Sequence, residues 1–176
     1  EAQRTPEARP DRLLAEEEVL LHAQLFDESG FLVDALDSLA YRVAGTVESL
    51  ELAVHQDPSA FYPYTGFIKD IGVRPALGLS INMEMPPRSG NKEYAILFKD
   101  VIEKILREFG PGIVIVECGF DAYYKEPLSQ LDLTIDGYYA IIDLLASQWK
   151  VVCLLEGGYH EDLGLLAAVI LEGLMG

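Results

Sequence analysis

The sequence predicts an α/β domain in which helices cover the faces of a mainly parallel sheet. Three observations predict it. The runs GIVIVEC (Gly112–Cys118) and KVVCLL (Lys150–Leu155) are almost continuous in aliphatic residues, as strands buried on both faces of a parallel sheet must be. Segments of helical period lie between and after them, and strand–helix alternation with right-handed crossovers stacks helices on a sheet. Finally, 176 residues that are 50% hydrophobic and 24% charged suffice for one domain with its own core.

Each element follows in order. Residues 1–12 carry Pro6 and Pro10 among dense charges and read as an irregular lead-in. From Leu13 to Asp27, Leu13, Leu14, Leu20, Leu21 and Leu25 recur near helical spacing, with Gly30 as the stop, so a first helix is expected. A second is expected over Asp37–Leu52, because Leu39, Val43, Val47 and Leu50 share a face. The stretch LELAV (Leu50–Val54) fits the start of a strand equally well. Residues 55–78, rich in proline and aromatics, predict a long irregular segment of the kind that packs over a site.

Leu77–Met85 reads as a strand, PPRSG as a turn, and Glu93–Phe109 as an amphipathic helix stopped by Gly110 and Pro111. After the strand Gly112–Cys118 comes the loop GFDAYYKEPLSQLDL. Thr134 then caps a helix to Gln148, KVVCLLEGG supplies the next strand, and Glu161–Leu174 forms a last apolar helix.

Charge and cysteine content narrow the function. Thirteen basic against 29 acidic residues give a net charge of −16, which argues against nucleic acid, whose binders are basic. No apolar run approaches the roughly 18 to 20 residues of a membrane span, and neither a leader nor a membrane partner is expected. Cys118 and Cys153 sit within apolar runs and read as buried, reduced thiols, which suits a cytoplasmic setting.

Ligands of parallel sheets gather at the carboxyl ends of the strands, and two loops there carry unusual residues. GFDAYYKEPL places Asp121 three residues past Cys118, where a carboxylate either bonds turn amides, is paired, or holds a metal. EGGYH places Gly157 and Gly158 before Tyr159, and paired glycines let a loop swing the phenol over its neighbour. A packed surface tyrosine is the alternative. A reading without any family has Asp121, Glu126, Asp132 and Glu156 holding a hard cation such as magnesium or calcium.

Taken in order, HQDPSAFYPYTGFIKDIG, LSINMEMPPRSG, EFGPGIVIVECGFDAYYKEPLSQLDLT, GYYAI and KVVCLLEGGY resemble the carboxyl-terminal half of the histone deacetylase superfamily, which includes acetoin-utilisation and acetylpolyamine amidohydrolase relatives. The resemblance runs from Val54 to Leu166. TPEARPDRLLAEEEVL is similar to that family's opening segment, and SLAYRVAGTVESLELAV to a later Ala-Gly helix.

The resemblance implies a shortened, three-layer arginase/deacetylase-like sandwich: a single domain over 1–176, with amino-terminal helices in 1–53 and the carboxyl-terminal half of the fold in 54–176. It implies zinc-dependent hydrolysis of acetyl amides on lysine or polyamines. Asp121 matches a metal-binding aspartate, and Tyr159 the tyrosine that donates to the developing oxyanion. Gly119, Gly157 and Gly158 would shape the loops, and His55 matches a family histidine that follows a strand and is not a zinc ligand.

The chain also departs from the family. The tandem-histidine segment and the Asp-x-Asp-x-His-His segment bearing the other zinc ligands would lie between the Ala-Gly helix and His55, where this sequence has neither. Its three histidines, His22, His55 and His160, match no ligand position. A catalytic zinc keeps three protein ligands, so the chain is expected to be incomplete alone. It would then form a homo-oligomer, take a complementing chain, or act as a non-catalytic deacetylase-like binding or assembly domain. Tyr123 stands where many relatives have histidine, and Glu126 where they have aspartate; both are read as shaping the substrate channel.

Overall fold

The computed structural model describes residues 18–23 at the level of backbone pairing, and residues 49–61, 64–74 and 76–176 in full. Five parallel strands form one sheet: β1 (Glu18–Ala23), β2 (Ser49–Gln56), β3 (Ser80–Met85), β4 (Ile113–Cys118) and β5 (Val151–Leu155), in the order β3-β2-β1-β4-β5. The register sets Glu18 opposite both Ser49 and Ile113, and Val116 opposite Cys153.

Helix α1 spans 91–109 as Asn91–Leu97, a π-helical turn Phe98–Ile102, and Glu103–Phe109. Helix α2 is Ile135–Ala146 and α3 is Leu163–Met175. Alternate strand residues Leu50, Leu52, Val54, Val114, Val116 and Cys118 join Ile102, Leu106, Ile142, Leu145, Leu166 and Ile170 in one core. This is the expected α/β arrangement with a parallel sheet. A second helical layer is not among the described residues.

The amino-terminal expectation is corrected. Where a helix over Leu13–Asp27 was predicted, Glu18–Ala23 forms the central strand, with β2 on one side and β4 on the other. The apolar run VLLH is short enough to satisfy either period, and two parallel neighbours decide for the strand. The second predicted helix, Asp37–Leu52, ends in β2 from Ser49 onward, the alternative that LELAV permitted. The remainder of both predicted helices lies outside the described residues.

The later elements match closely. Gly110 ends α1 in the left-handed region at φ 70°, with its N–H donating to the Leu106 carbonyl. At the other end, the Glu93 carboxylate accepts the Gly90 N–H at 3.0 Å. Thr134 does occupy the N-cap of α2, but its hydroxyl makes no capping bond to the helix. Instead Asn91 Nδ2 donates to Thr134 Oγ1 at 2.8 Å while Thr134 N–H donates to Asn91 Oδ1 at 2.9 Å.

That reciprocal pair joins α1 to α2 and leaves no room beside Gly137. A methyl group there would collide with Asn91 Oδ1 and Leu133 Cδ1. Gly137→Ala is expected to lower the unfolding free energy by about 1–3 kcal/mol despite alanine's better helix propensity. Urea unfolding checks it, and a stabilised variant would show that the junction yields freely.

Candidate functional site

The carboxyl ends of parallel strands all emerge on one side of the sheet, so β2, β4 and β5 deliver His55, Asp121 and Tyr159 to the same end of the domain. A cavity of about 60 Å³ opens there, lined among others by His55, Gln56, Cys118, Gly119, Asp121 and Tyr138. Its wall is mostly apolar. Asp121 is the carboxylate on this wall, and no hydrogen bond to its side chain is present among the described residues.

Desolvation dominates its electrostatics. Burial pushes the Asp121 carboxyl from its ordinary value near 3.8 up to about 7, and the Glu126 carboxylate nearby adds to the rise. A carboxylate in that state lacks the cation or donors that would hold it ionised.

His55, 6% exposed, is held on both sides of its ring. Its Nδ1 lies 2.9 Å from the Gln56 carbonyl oxygen and its Nε2 3.3 Å from Asn82 Oδ1. Asn82 Nδ2 in turn donates to the Asp70 carbonyl at 2.7 Å, which orients the amide with its oxygen toward the imidazole. Gly66 closes over this pair at φ 82°, where a β-carbon would stand 3.2–3.3 Å from Asn82 Oδ1 and His55 Nε2. The predicted irregular segment thus packs against His55.

The loops after β4 and β5 are zipped together. Phe120 N–H donates to the Gly157 carbonyl at 3.0 Å, and Glu156 N–H to the Cys118 carbonyl at 3.2 Å. Tyr159 N–H donates to Glu126 Oε2 at 2.9 Å. Of the three glycines read as loop-shaping, Gly158 is the one at positive φ, 130°, and a β-carbon there would stand 2.8 Å from Phe120 Cβ. Gly119 lines the cavity, and Gly157 supplies the carbonyl that Phe120 binds. Tyr159 does not line the cavity and is 52% exposed.

A second cluster fastens the far end of the Gly-Gly-Tyr loop. Tyr123, 1% exposed, donates its hydroxyl to Asp162 Oδ2 at 2.8 Å, and Lys125 Nζ reaches the same oxygen at 2.8 Å. The two donors hold the Asp162 carboxyl below its ordinary range. His160 packs edge-on to Tyr123 with centroids 5.5 Å apart. Sequence reasoning singled out Tyr123 and Glu126 as departures, but not that one reaches Asp162 and the other Tyr159.

The fit to a metal is partial. Among the described residues no three His, Cys, Asp or Glu side chains converge as a metal group. Asp121 alone does not meet a catalytic zinc's need for three protein donors, so the described residues do not by themselves fit zinc. The hard-cation reading fails on the same ground: Asp121, Glu126, Asp132 and Glu156 do not come together, and Asp132 lies on the surface beside Arg88. His22 lies on β1 opposite Ala53 and Glu117. Both cysteines are free thiols, and no described helix is long and apolar enough to cross a membrane.

Comparison with known proteins adds a lineage. The family model for the histone deacetylase domain matches residues 40–173. Histone deacetylase 14, chloroplastic, of Arabidopsis thaliana is 35% identical over 132 residues, which cover 71% of this chain and 31% of that protein. An acetylpolyamine amidohydrolase of Burkholderia pseudomallei is 34% identical over 115 residues, covering 64% and 33%. The crystal structure of acetylpolyamine aminohydrolase from Burkholderia pseudomallei superposes with a TM-score of 0.71 at 26% identity, covering 90% of this chain and 45% of that one. The chain thus spans about a third of the length of the curated relatives it matches.

Proposed function

Because this chain belongs to the histone deacetylase family, we propose that it forms the carboxyl-terminal part of a centre that hydrolyses acetyl amides of lysine or polyamines. In this reading Asp121 contributes one carboxylate to a zinc ion whose other donors lie outside the described residues. Tyr159 donates its phenolic hydrogen to the oxyanion that develops on the acetyl carbonyl. The supplementary donors come from a complementing chain or a second copy, and the two free thiols suit a reducing, cytoplasmic compartment.

The observation that carries the reading is the Asp121 carboxylate itself. It sits at the end of a buried strand, on an apolar cavity wall, with its pKa raised and no donor bonding it among the described residues. Such a group gains most from a cation. The fold supports the loops on either side, and Gly158 gives the phenol-bearing loop its sharp bend.

Zinc content and acetate release from an acetylated lysine peptide and an acetylpolyamine test the proposal. Both are measured with the chain alone and with a polypeptide carrying the family's Asp-x-Asp-x-His-His segment. Stoichiometric zinc and turnover are expected only in the mixture. Asp121→Asn should abolish both, whereas Tyr159→Phe should leave zinc bound and lower turnover by about 10²-fold. Zinc that is indifferent to Asp121→Asn would refute the ligand assignment. Neither zinc nor turnover in any mixture would favour the non-catalytic binding domain.

A further inference from the structure

We infer that Glu126 is a positioning residue whose buried carboxylate fixes the direction of the Tyr159 phenol through the Tyr159 backbone N–H. The inference rests on the reading of Tyr159 as the oxyanion donor and names the group that aims it. Its basis is a contact between residues 33 positions apart: Tyr159 N–H donates to Glu126 Oε2 at 2.9 Å.

Three features show that this contact is built into the fold. Glu126 is 5% exposed although carboxylates are rarely buried without a counter-charge. Consecutive turns, Tyr123 N–H to the Phe120 carbonyl at 3.0 Å and Glu126 N–H to the Tyr123 carbonyl at 2.8 Å, carry the chain from Asp121 to the point below Tyr159. And Glu126 Oε1 is buried with no hydrogen-bond partner among the described residues.

The last feature separates a positioning role from a stabilising one. A buried carboxylate with one unsatisfied oxygen is an unfavourable way to close a loop, because the desolvation of that oxygen is not repaid. An apolar residue would pack there without that cost, but it could not grip the N–H. A charge-assisted bond to a backbone N–H is strong and directional, and it acts one residue after Gly158 has turned at φ 130° against Phe120. The backbone at Gly158 and Tyr159 sets where the side chain leaves the loop, and the bond to Glu126 fixes that backbone.

Amide hydrogen exchange on the full chain tests this, with ¹⁹F NMR of fluorotyrosine-labelled protein reporting the phenol, its Tyr159 line identified by loss in Tyr159→Phe. In the unsubstituted protein the Tyr159 amide should be protected although it lies in a loop. In Glu126→Ala its exchange should accelerate by about tenfold or more, with Val116 and Leu145 amides unchanged, and the Tyr159 fluorine line should shift. Glu126→Gln keeps an acceptor oxygen and should restore most of the protection and the line position.

An unprotected Tyr159 amide in the unsubstituted protein would overturn the inference even if Glu126→Ala failed to fold. So would exchange in Glu126→Ala that rises equally in strands and loop, or a fluorine line that does not move. Neither readout depends on zinc or turnover. Loss of the anchor with unaltered turnover in the complemented protein would leave Glu126 as the anchor and refute the role of Tyr159 instead.

Discussion

Asp121→Asn is expected to raise the unfolding free energy of the metal-free chain by about 2–4 kcal/mol near pH 8, and to change it little near pH 3. The carboxyl titrates at about 7 in the folded chain, against 3.8 for its ordinary value. Burial is the larger cause and the Glu126 carboxylate the smaller. Below pH 4 the group is protonated in both states and contributes nothing differential. Between pH 4 and 7 the unfolded chain releases the proton while the folded chain keeps it, so stability is lost progressively as pH rises. Above pH 7 the folded chain bears a charge it solvates poorly, and the full penalty remains.

Asparagine has nearly the same shape and no charge, so it removes the penalty. Urea unfolding of both proteins from pH 3 to 8 checks this. A stability gap that does not depend on pH would mean that the carboxylate is solvated or paired, and would remove the observation on which the proposed function stands.

The position of Asp121 at a strand end, on the wall of the cavity, was legible. The runs GIVIVEC and KVVCLL announced β4 and β5, and their loops announced Asp121 and Tyr159, because strand ends in parallel sheets follow from local pattern alone. β1 was not legible. VLLH is too short to separate a helix from a buried strand, and what decides is pairing with Ser49–Val54 on one side and Ile113–Glu117 on the other.

The anchors of the Gly-Gly-Tyr loop were hidden for a related reason. Glu126 reaches Tyr159 and Tyr123 reaches Asp162 only after two loops, distant in sequence, have closed on each other. No periodicity encodes such a contact. The sequence sign was indirect: two positions that depart from the family pattern, Tyr123 and Glu126, both carry side chains that bridge the loops, as Lys125 between them does. Thr134 teaches the same lesson on a smaller scale, since its N-cap position was readable but its hydroxyl's partner, Asn91, was not.

Gly158→Ala is expected to cost about 2–4 kcal/mol and to dislodge Tyr159, although it adds a single methyl group. Two effects act together. At φ 130° an alanine is held in a region that L-residues avoid, which costs on the order of 1–3 kcal/mol. Its β-carbon would also stand 2.8 Å from Phe120 Cβ and 3.1 Å from Leu163 Cδ2, and overpacking of that kind costs a further 1–3 kcal/mol. Phe120 cannot retreat freely, because its N–H is bonded to the Gly157 carbonyl and its ring packs edge-on to Tyr138 at 5.5 Å.

Gly164→Ala, in the first turn of α3, supplies the control. No atom lies within 4 Å of the β-carbon it would add, and alanine is the better helix former, so that variant should be more stable by about 0.5–1 kcal/mol. Six residues apart, the same chemical change therefore carries opposite signs, which urea unfolding resolves directly. Should Gly158→Ala unfold like the unsubstituted chain, the bend at Gly158 would be relaxed in solution, and the backbone that aims the phenol would not be the one described.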